Sequence, residues 1–299
     1  MNGPAVEVCD VGKTFGSTRA LDELSFEVPQ GSVFGLLGPN GAGKTTTMRI
    51  LMGLFRADKG NTKVLSENSW GVSVETKQRI AYLSENQTLF EHWKVFRAVR
   101  FHSSFFPTWD QEMAEGFLEK LEIPPRHKIV KLSKGKKRGL ALTLAVSQRP
   151  ELMLLDEPAG GLDVETRRDF LNIVLDIVAL ETCTVLFSSH ILSDVERVAD
   201  RIGIINRGKM RVAGETDDLK TRVKKIRAAA PVDKATVERI FNIVQFEQED
   251  NATVFSADNV SEALVAQARS EWGCAIDCYD LGLEQIYLEY TARNGVGST

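Results

Sequence analysis

The chain has 299 residues, 43% of them hydrophobic and 26% charged, which is typical of a folded protein with one large domain and a smaller one. Its formal net charge of −4 lacks the basic excess of a general nucleic-acid-binding protein, so no nucleic-acid partner is predicted. No run approaches the roughly 20 apolar residues of a membrane helix, and Glu7 and Asp10 interrupt any N-terminal signal-like run.

The four cysteines are too sparse for a disulfide framework. Cys274 and Cys278 lie close together in the sequence, but no His or Cys pair elsewhere completes a zinc site. Free thiols in a reducing cytosol are therefore expected.

The predicted elements begin with an extended segment, Val6–Val28, which has turn signals at Gly12 and Gly16 and predicts an antiparallel β lobe. The apolar run Val33–Leu37 then predicts a buried strand, and Thr45–Leu54 predicts a helix, which together form half of a parallel α/β unit. Further strands and helices are predicted at Asp110–Leu121 (helix), Glu151–Leu155 (strand), Thr166–Leu180 (helix) and Thr184–Ser188 (strand).

Between the first strand and helix lies a complete phosphate-binding loop pattern. Its residues are Gly38, Pro39, Asn40, Gly41, Ala42, Gly43, Lys44 and Thr45. The glycines let backbone N–H groups converge on phosphate oxygens, and the helix N-terminus points at the same anion. Lys44 can reach the β- and γ-phosphates, the Thr45 hydroxyl can bind Mg²⁺, and Thr46 extends the predicted nucleotide contacts. The alternative, a glycine turn with a chance lysine, does not explain the surrounding strand and helix.

Two acidic residues, Asp156 and Glu157, follow the apolar run Leu152–Leu155. Ligand sites of α/β proteins lie at the carboxyl ends of strands, so we expect Asp156 to bind the metal ion. Glu157 is then placed to act as general base on the attacking water. Without the phosphate loop, an acidic turn after a core strand would explain this pattern equally well.

Two weaker patterns accompany these motifs. Ser133 is a good N-cap for the helix that contains Leu140–Val146, and Gly135 permits close approach to an anion, although an ordinary capped helix start has the same sequence. His190 follows a predicted strand directly, where it could contact a ligand or have only a structural role.

Taken together, the motifs resemble the nucleotide-binding subunit of an ABC transporter, over roughly Val6 to Leu219. The phosphate loop, the signature segment Leu132–Lys136, the acidic strand, the D-loop Gly161–Asp163 and the switch histidine His190 occur in the family's order and spacing. The resemblance implies ATP and Mg²⁺ as cofactors, a homodimer or heterodimer of ATPase subunits, and a separate transmembrane permease. It also implies a cytoplasmic location, at the inner face of the membrane.

The same resemblance assigns roles to individual residues. Catalysis is expected from Lys44, Glu157 and His190, and metal binding from Thr45, Asp156 and Glu85. Phe15 is expected to stack on adenine, Asp163 to couple the two sites, and Ser133 and Gly135 to meet the γ-phosphate held by the other subunit. Lys136 is expected among the nucleotide-binding residues.

The sequence departs from the family pattern at three positions. Lys134 replaces a glycine, Lys136 replaces a glutamine, and Glu85 replaces the metal-contacting glutamine. A carboxylate can still approach Mg²⁺ but cannot donate a hydrogen bond, and Gln87 is a possible substitute.

The C-terminal part has a separate pattern from Lys225 onwards, in the order strand, helix, strand, strand, helix, strand, which predicts a small ferredoxin-like α/β domain. The predicted fold is thus an α/β P-loop NTPase core with a parallel sheet in residues 1–220, including a helical insertion at about 86–140, and an accessory domain in 221–299. The accessory domain is predicted to regulate the protein or stabilise a dimer, and the alternative is a packing appendage that only adds stability. The run Leu281–Ala292 resembles the tail of ATPases that serve ABC-2 type exporters, and Asn294–Thr299 is expected to be frayed.

The predicted function is therefore the ATP-hydrolysing motor of an exporter. The alternative is a soluble ABC-type ATPase in iron–sulfur assembly, DNA repair or translation. The single cassette and the absence of a heptad repeat disfavour the repair and translation types, whereas an iron–sulfur scaffold fits the sequence as well. A phosphate-loop kinase of small molecules would have no use for the signature segment.

One further segment, Phe90–Trp109, is rich in aromatic residues and is predicted to dock a membrane partner. The alternative is that these aromatic residues form the core of the helical insertion.

Overall fold

A computed structural model describes residues 3–178 and 183–292 of the chain, so the predicted frayed end lies outside the described residues. The chain divides into two compact units, Met1–Met210 (unit 1) and Arg211–Thr299 (unit 2). Within the described residues, no helix has both the length and the apolar composition needed to cross a bilayer.

The first ten strands among the described residues form two sheets. They are β1 (Val6–Phe15), β2 (Thr18–Val28), β3 (Val33–Leu37), β4 (Lys59–Val64), β5 (Glu67–Asn68), β6 (Ile80–Leu83), β7 (Leu152–Asp156), β8 (Thr184–Ser189), β9 (Arg201–Asn206) and β10 (Lys209–Glu215). The boundary between the units falls inside β10, whereas the sequence places it after residue 220.

The helices of unit 1 lie between these strands. They are α1 (Lys44–Leu51), α2 (Val74–Gln78), α3 (Val95–Ser103), α4 (Gln111–Lys120), α5 (Lys134–Val146), α6 (Val164–Val178) and α7 (Leu192–Val198). Helix α1 ends before the predicted Leu54, because Gly53 adopts a left-handed conformation with φ +66° and the Leu54 N–H bonds back to the Arg49 carbonyl. The last two residues predicted for α6 lie outside the described residues.

The larger sheet has the strand order β10-β9-β3-β8-β7-β6, and the pairs from β9 to β6 are parallel. All residues of β3, β7 and β8 are buried, as expected for central strands of a parallel sheet. Leu37 pairs with Ser189, and Asp156 pairs with Ser188. The carboxyl ends of the three strands therefore meet at one edge of the sheet, which places the segments that follow them side by side.

The smaller sheet is the antiparallel lobe, with the order β2-β1-β4-β5. Gly16 forms the turn between β1 and β2 with φ +56°. The prediction of a turn at Gly12 is wrong, because Gly12 lies inside β1 and pairs with Lys59 of β4. The strand pairing is irregular on both sides of Gly12, so this glycine marks a bulge, which has the same residue preference as a turn.

The helical insertion is built on α3, α4 and α5. Its core contains Val95, Leu118, Ile129 and Leu140, all nearly inaccessible to solvent. Asp110 caps α4, since its carboxylate accepts a hydrogen bond from the Met113 N–H at 2.8 Å. The insertion thus has an apolar core of its own.

Unit 2 contains the remaining elements. They are α8 (Thr216–Arg222), β11 (Lys224–Ala228), α9 (Lys234–Glu238), β12 (Asn242–Gln248), β13 (Thr253–Asp258), α10 (Glu262–Trp272), β14 (Ile276–Asp280) and α11 (Leu283–Thr291). The sheet is antiparallel with the order β12-β13-β11-β14, which is the ferredoxin-like arrangement expected from the sequence. Its core is formed around Ile226, Val237 and Phe255.

The first prediction concerns His102 of α3, whose pKa burial lowers to about 4. Its Nε2 lies 2.7 Å from the Gln148 side-chain amide, which donates to the neutral ring. Between pH 6.5 and about 4 the unfolded chain binds a proton at this histidine that the folded chain does not. The free energy of unfolding should therefore decrease by at most about 3 kcal/mol as the pH is lowered from 6.5 to about 4. Urea unfolding across this range measures the change.

The variant His102→Gln lacks this titration, and its free energy of unfolding should depend less on pH. The same substitution at the exposed His92 is the matched control. Equal pH dependence in wild-type and His102→Gln proteins would contradict the assignment.

The second prediction concerns the two units. Phe255 is 1% exposed in unit 2, so Phe255→Ala should destabilise that unit by about 3–5 kcal/mol. Hydrogen exchange should become faster in β11 and β13, whereas β3 and β7 of unit 1 should keep their protection. The half-buried Phe246 on β12 provides a milder control, Phe246→Ala. Equal acceleration in β7 would show that the units do not unfold separately.

Candidate active site

The phosphate loop connects β3 to α1 and lines a cavity of about 690 Å³. Gly43 has φ +113°, and a Cβ there would lie 2.8 Å from the Ala20 carbonyl oxygen. A Cβ on Gly38 would lie 2.4 Å from the Ile205 carbonyl oxygen. Only glycine fits these two positions, and the loop backbone is thereby left open to an anion at the N-terminus of α1.

The cavity collects most of the residues predicted from the sequence. Asn40, Gly41, Ala42, Gly43, Lys44, Thr45, Thr46, Glu85, Glu157 and His190 all line it. Gly38 and Pro39 accept hydrogen bonds from Lys44 at the start of the loop. These residues come from the carboxyl ends of β3, β6, β7 and β8, as the parallel register requires.

Lys44 is a buried cation of this cavity and is 6% exposed. Its ammonium group donates to the Gly38 carbonyl at 2.6 Å and to the Pro39 carbonyl at 3.3 Å. It also lies 3.1 Å from Oε1 of Glu157. A phosphate group in the loop would compete with this carboxylate for the same ammonium group. Phosphate binding would therefore change the electrostatic environment of Glu157.

Asp156 is 1% exposed at the end of β7. Its Oδ1 accepts hydrogen bonds from Thr45 Oγ1 at 3.1 Å and from Ser188 Oγ at 2.9 Å. Burial raises the pKa of Asp156, and these two hydroxyls oppose that rise. A hydroxyl and a carboxylate beside a phosphate cradle are the donor set that Mg²⁺ takes together with nucleotide phosphates. The residues present therefore fit a magnesium ion bound with its nucleotide.

Glu157 follows Asp156 with a left-handed backbone, φ +46°, which is uncommon for a residue with a side chain. Its N–H donates to Ser188 Oγ at 2.9 Å, and its Oε2 lies 2.8 Å from Nδ1 of His190. The histidine thus orients one carboxylate oxygen, while the other faces Lys44. This places the carboxylate beside the position of the phosphates, as a general base requires.

The signature segment lies at the start of α5, outside the cavity for the most part. Ser133 is exposed and caps the helix by accepting from the Lys136 N–H at 3.2 Å, while Gly135 packs against Thr166. Lys136 donates from Nζ to the Glu122 carbonyl at 2.7 Å. Within the chain, Ser133, Gly135 and Lys136 therefore do not join the phosphate loop, whereas Lys134 reaches the cavity.

The D-loop residue Asp163 is also placed outside the cavity. Its carboxylate accepts from the Thr166 N–H at 2.9 Å and from the Thr166 hydroxyl at 2.7 Å. These bonds lower the pKa of Asp163. The contacts are those of a helix N-cap, so its predicted coupling role has no partner within this chain's cavity.

Phe15 ends β1 with 43% of its surface exposed. Its ring meets Phe55 edge-on at 5.4 Å between centroids, and the Lys13 ammonium lies 5.4 Å from its centroid. Phe15 pairs with Thr18, which lines the cavity. One aromatic face is therefore presented near the mouth of the phosphate site, where a base could stack.

The structure separates Glu85 from Gln87, the residue considered as a substitute for the family's metal-contacting glutamine. Glu85 lines the cavity, whereas Gln87 lines a different cavity and turns its amide oxygen to Ser84 at 3.2 Å from Oγ. The hypothesis that Gln87 substitutes for the family's glutamine is thus not supported by the geometry.

Two residues of the site were missed by sequence reasoning. Ser188 joins Asp156 to the backbone of Glu157, and Arg138 of α5 lines the cavity. Ser188 lies two residues before His190 at the end of a predicted strand, and this position could have indicated a place in the site. Arg138 had a weaker signal, because it is one of four cations that precede the apolar run Leu140–Val146.

Comparison with known proteins agrees with this geometry. Residues 21–160 match the family model described as ABC transporter. The chain is 32% identical over 247 residues to the ABC transporter ATP-binding protein YtrB of Bacillus subtilis, over 81% of this chain and 83% of that protein. It is 31% identical over 222 residues to the bacitracin transport ATP-binding protein BcrA of Bacillus licheniformis, over 74% of this chain and 72% of that protein.

The fold is shared with solved proteins as well. A solved ATP-binding subunit of an ABC transporter superposes with a TM-score of 0.65 at 26% identity, covering 73% of this chain and 92% of that one. The chain therefore belongs to the ABC transporter family, as an ATP-binding subunit with ATPase activity.

Proposed function

We propose that this subunit hydrolyses Mg²⁺-ATP as the motor of a membrane exporter, in a head-to-tail dimer that drives a separate permease. The observation that carries the proposal is the convergence of Lys44, Glu157 and His190 on one cavity behind the phosphate loop, where Asp156 accepts from the hydroxyl of Thr45, a lining residue. A loop that only binds a nucleotide has no need of a carboxylate held between a lysine and a histidine.

In the proposed reaction, Lys44 and the loop N–H groups hold the β- and γ-phosphates. Thr45 and Asp156 would hold Mg²⁺, which supplies charge neutralisation on the phosphates, and the carboxylate of Glu85 faces the same cavity. Glu157 takes a proton from the water that attacks the γ-phosphorus. His190 keeps the carboxylate oriented through the 2.8 Å contact and lies within reach of the γ-phosphate side of the cavity.

The dimer is supported by residues that the chain leaves unused in its own cavity. Ser133 and Gly135 stand at the N-terminus of a 13-residue helix, exposed or half-exposed, and outside the cavity. A helix N-terminus favours anions, so this surface suits the γ-phosphate of a neighbouring subunit. We propose that Lys136 and Asp163 contribute to the same shared interface, in a homodimer or a heterodimer.

Export is proposed from the names of relatives. Besides the bacitracin transport protein, the chain is 28% identical over 299 residues to the Nod factor export ATP-binding protein I of Sinorhizobium fredii, over 97% of this chain. A permease partner would hold the subunit at the inner face of the cell membrane. Unit 2 is proposed as an accessory domain, since all residues lining the described cavity lie in unit 1.

The third prediction tests the proposed base. Glu157→Gln keeps the shape of the side chain but cannot accept the proton, so turnover should fall about 10²–10⁴-fold while ATP still binds. The variant should accumulate as an ATP-bound dimer, measured by light scattering with and without ATP. Lys44→Ala should instead lose ATP affinity.

The control for this substitution is Glu112→Gln, the same change at an exposed position of α4. Near-normal turnover of Glu157→Gln would overturn the role of the base. Loss of turnover without any ATP-dependent dimer would leave the base in place and contradict the shared-site arrangement.

The permease contact is proposed at an aromatic patch formed by Phe90, Trp93, Phe101 and Phe105. Phe90 stacks on Trp93 at 4.4 Å between centroids, and Phe101 meets both Trp93 and Phe105 edge-on at 5.2 and 5.0 Å. Phe90, Phe101 and Phe105 are 58%, 43% and 53% exposed, although Trp93 packs on the core of the insertion. The alternative of core packing therefore fits Trp93 and not the three phenylalanines.

The fourth prediction tests this patch. A photoreactive benzoyl-phenylalanine at position 101 should cross-link to a membrane-spanning polypeptide in native membranes, because large exposed aromatic clusters mark interaction surfaces. Trp70, 52% exposed elsewhere in unit 1, is the matched position. Equal cross-linking from positions 70 and 101, or none from 101, would contradict the proposed contact.

A further inference from the structure

The side chain of Arg138 is buried beneath the catalytic loops, with 9% of the residue exposed. A guanidinium group carries five N–H donors, and here each is directed at a backbone carbonyl. The contacts are Nε to Pro158 at 2.8 Å, Nη1 to Ser84 at 2.8 Å and Glu85 at 2.6 Å, and Nη2 to Glu157 at 2.8 Å and Asp156 at 3.5 Å.

These carbonyls belong to two separate loops. Ser84 and Glu85 follow β6, on the path to the helical insertion, whereas Glu157 and Pro158 follow β7. Arg138 itself stands on α5, one turn after the cap residue Ser133. One guanidinium group therefore connects the Glu85 loop, the Glu157 loop and the helix of the signature segment.

The contacts with the Glu157 loop act on a strained backbone. Glu157 has φ +46°, a conformation that persists only where the surroundings hold it. Arg138 binds the carbonyl of Glu157 and that of the next residue, while Ser188 accepts the Glu157 N–H at 2.9 Å. The Glu157 carboxylate is carried on this backbone, so the guanidinium contributes to its placement together with the side-chain contacts from His190 and Lys44.

The Arg138 guanidinium donates to backbone carbonyl oxygens and not to a carboxylate. Burial lowers the pKa of the guanidinium, and the nearby charges of Glu85 and Asp156 oppose this effect. Lysine could not replace it, because an ammonium group has three donors and no planar fork to span two loops.

We propose that Arg138 is a positioning residue for hydrolysis, which clamps the Glu157 backbone and transmits displacements of the Glu85 loop to the general base. This inference rests on the proposed role of Glu157. The duller alternative is that Arg138 only stabilises the fold. The two differ in what they predict for turnover in protein that remains folded.

The test compares kcat, KM for Mg²⁺-ATP and melting temperature in the full chain. Arg138→Lys should reduce kcat about 10- to 100-fold, because small misplacements of a catalytic group have effects of this size, and should leave KM within about threefold. Arg149→Lys is the matched control, since the Arg149 guanidinium is exposed and binds the Asp110 carboxylate. Unchanged kcat in folded Arg138→Lys protein would overturn the proposal.

A second variant protects the test against a folding defect. In Arg138→Ala, millimolar free guanidinium, well below denaturing concentrations, should restore part of kcat, whereas methylammonium should not. Restoration by both cations, or by neither, would favour a purely structural role.

A double substitution separates this inference from the proposed function. If Glu157 is the base and Arg138 acts through it, adding Arg138→Lys to Glu157→Gln should reduce kcat little further. Full additivity of the two losses would overturn the positioning role and leave the base assignment intact. Normal turnover of Glu157→Gln alone would instead refute the proposed base.

Discussion

The parallel register of β3, β7 and β8 is the constraint on which the rest of the site depends. It sets Leu37 beside Ser189 and Asp156 beside Ser188, so three chain segments leave the sheet at the same level. Each of those segments carries one part of the chemistry: a phosphate cradle, a pair of carboxylates and a histidine. A shift of any one strand would separate side chains that now lie within 3.1 Å of one another.

Lys44, Asp156 and Glu157 form a network of buried charges, and each of the three has a definite partner. Lys44 lies between loop carbonyls and Glu157, Glu157 lies between Lys44 and His190, and Asp156 accepts from two hydroxyls. Buried charges are stable only when they are paired in this way. A nucleotide and its metal ion would exchange one set of partners for another, which links binding to the position of the Glu157 carboxylate.

Unit 1 and unit 2 are built on different principles. Unit 1 uses a parallel sheet, whose strand ends create a ligand site. Unit 2 uses an antiparallel ferredoxin-like sheet around Phe255, with helices packed on its apolar core. Unit 2 has its own sheet and its own apolar core, which supports its proposed role as an accessory domain.

The sequence by itself determined the phosphate loop, the acidic strand end, the alternation of strands and helices, and the ferredoxin-like order, because these follow from contiguous residues and local backbone preferences. Its errors were also local, since the same glycine preference marks a turn at Gly16 and a bulge at Gly12. Only the tertiary structure decided that Gln87 turns away from the cavity, that Ser188 joins Asp156 to Glu157, and that Arg138 binds loops more than 15 residues away on either side. The physical reason is that such contacts depend on which strand ends the sheet brings together, and a single buried side chain carries no periodic signal of its partners.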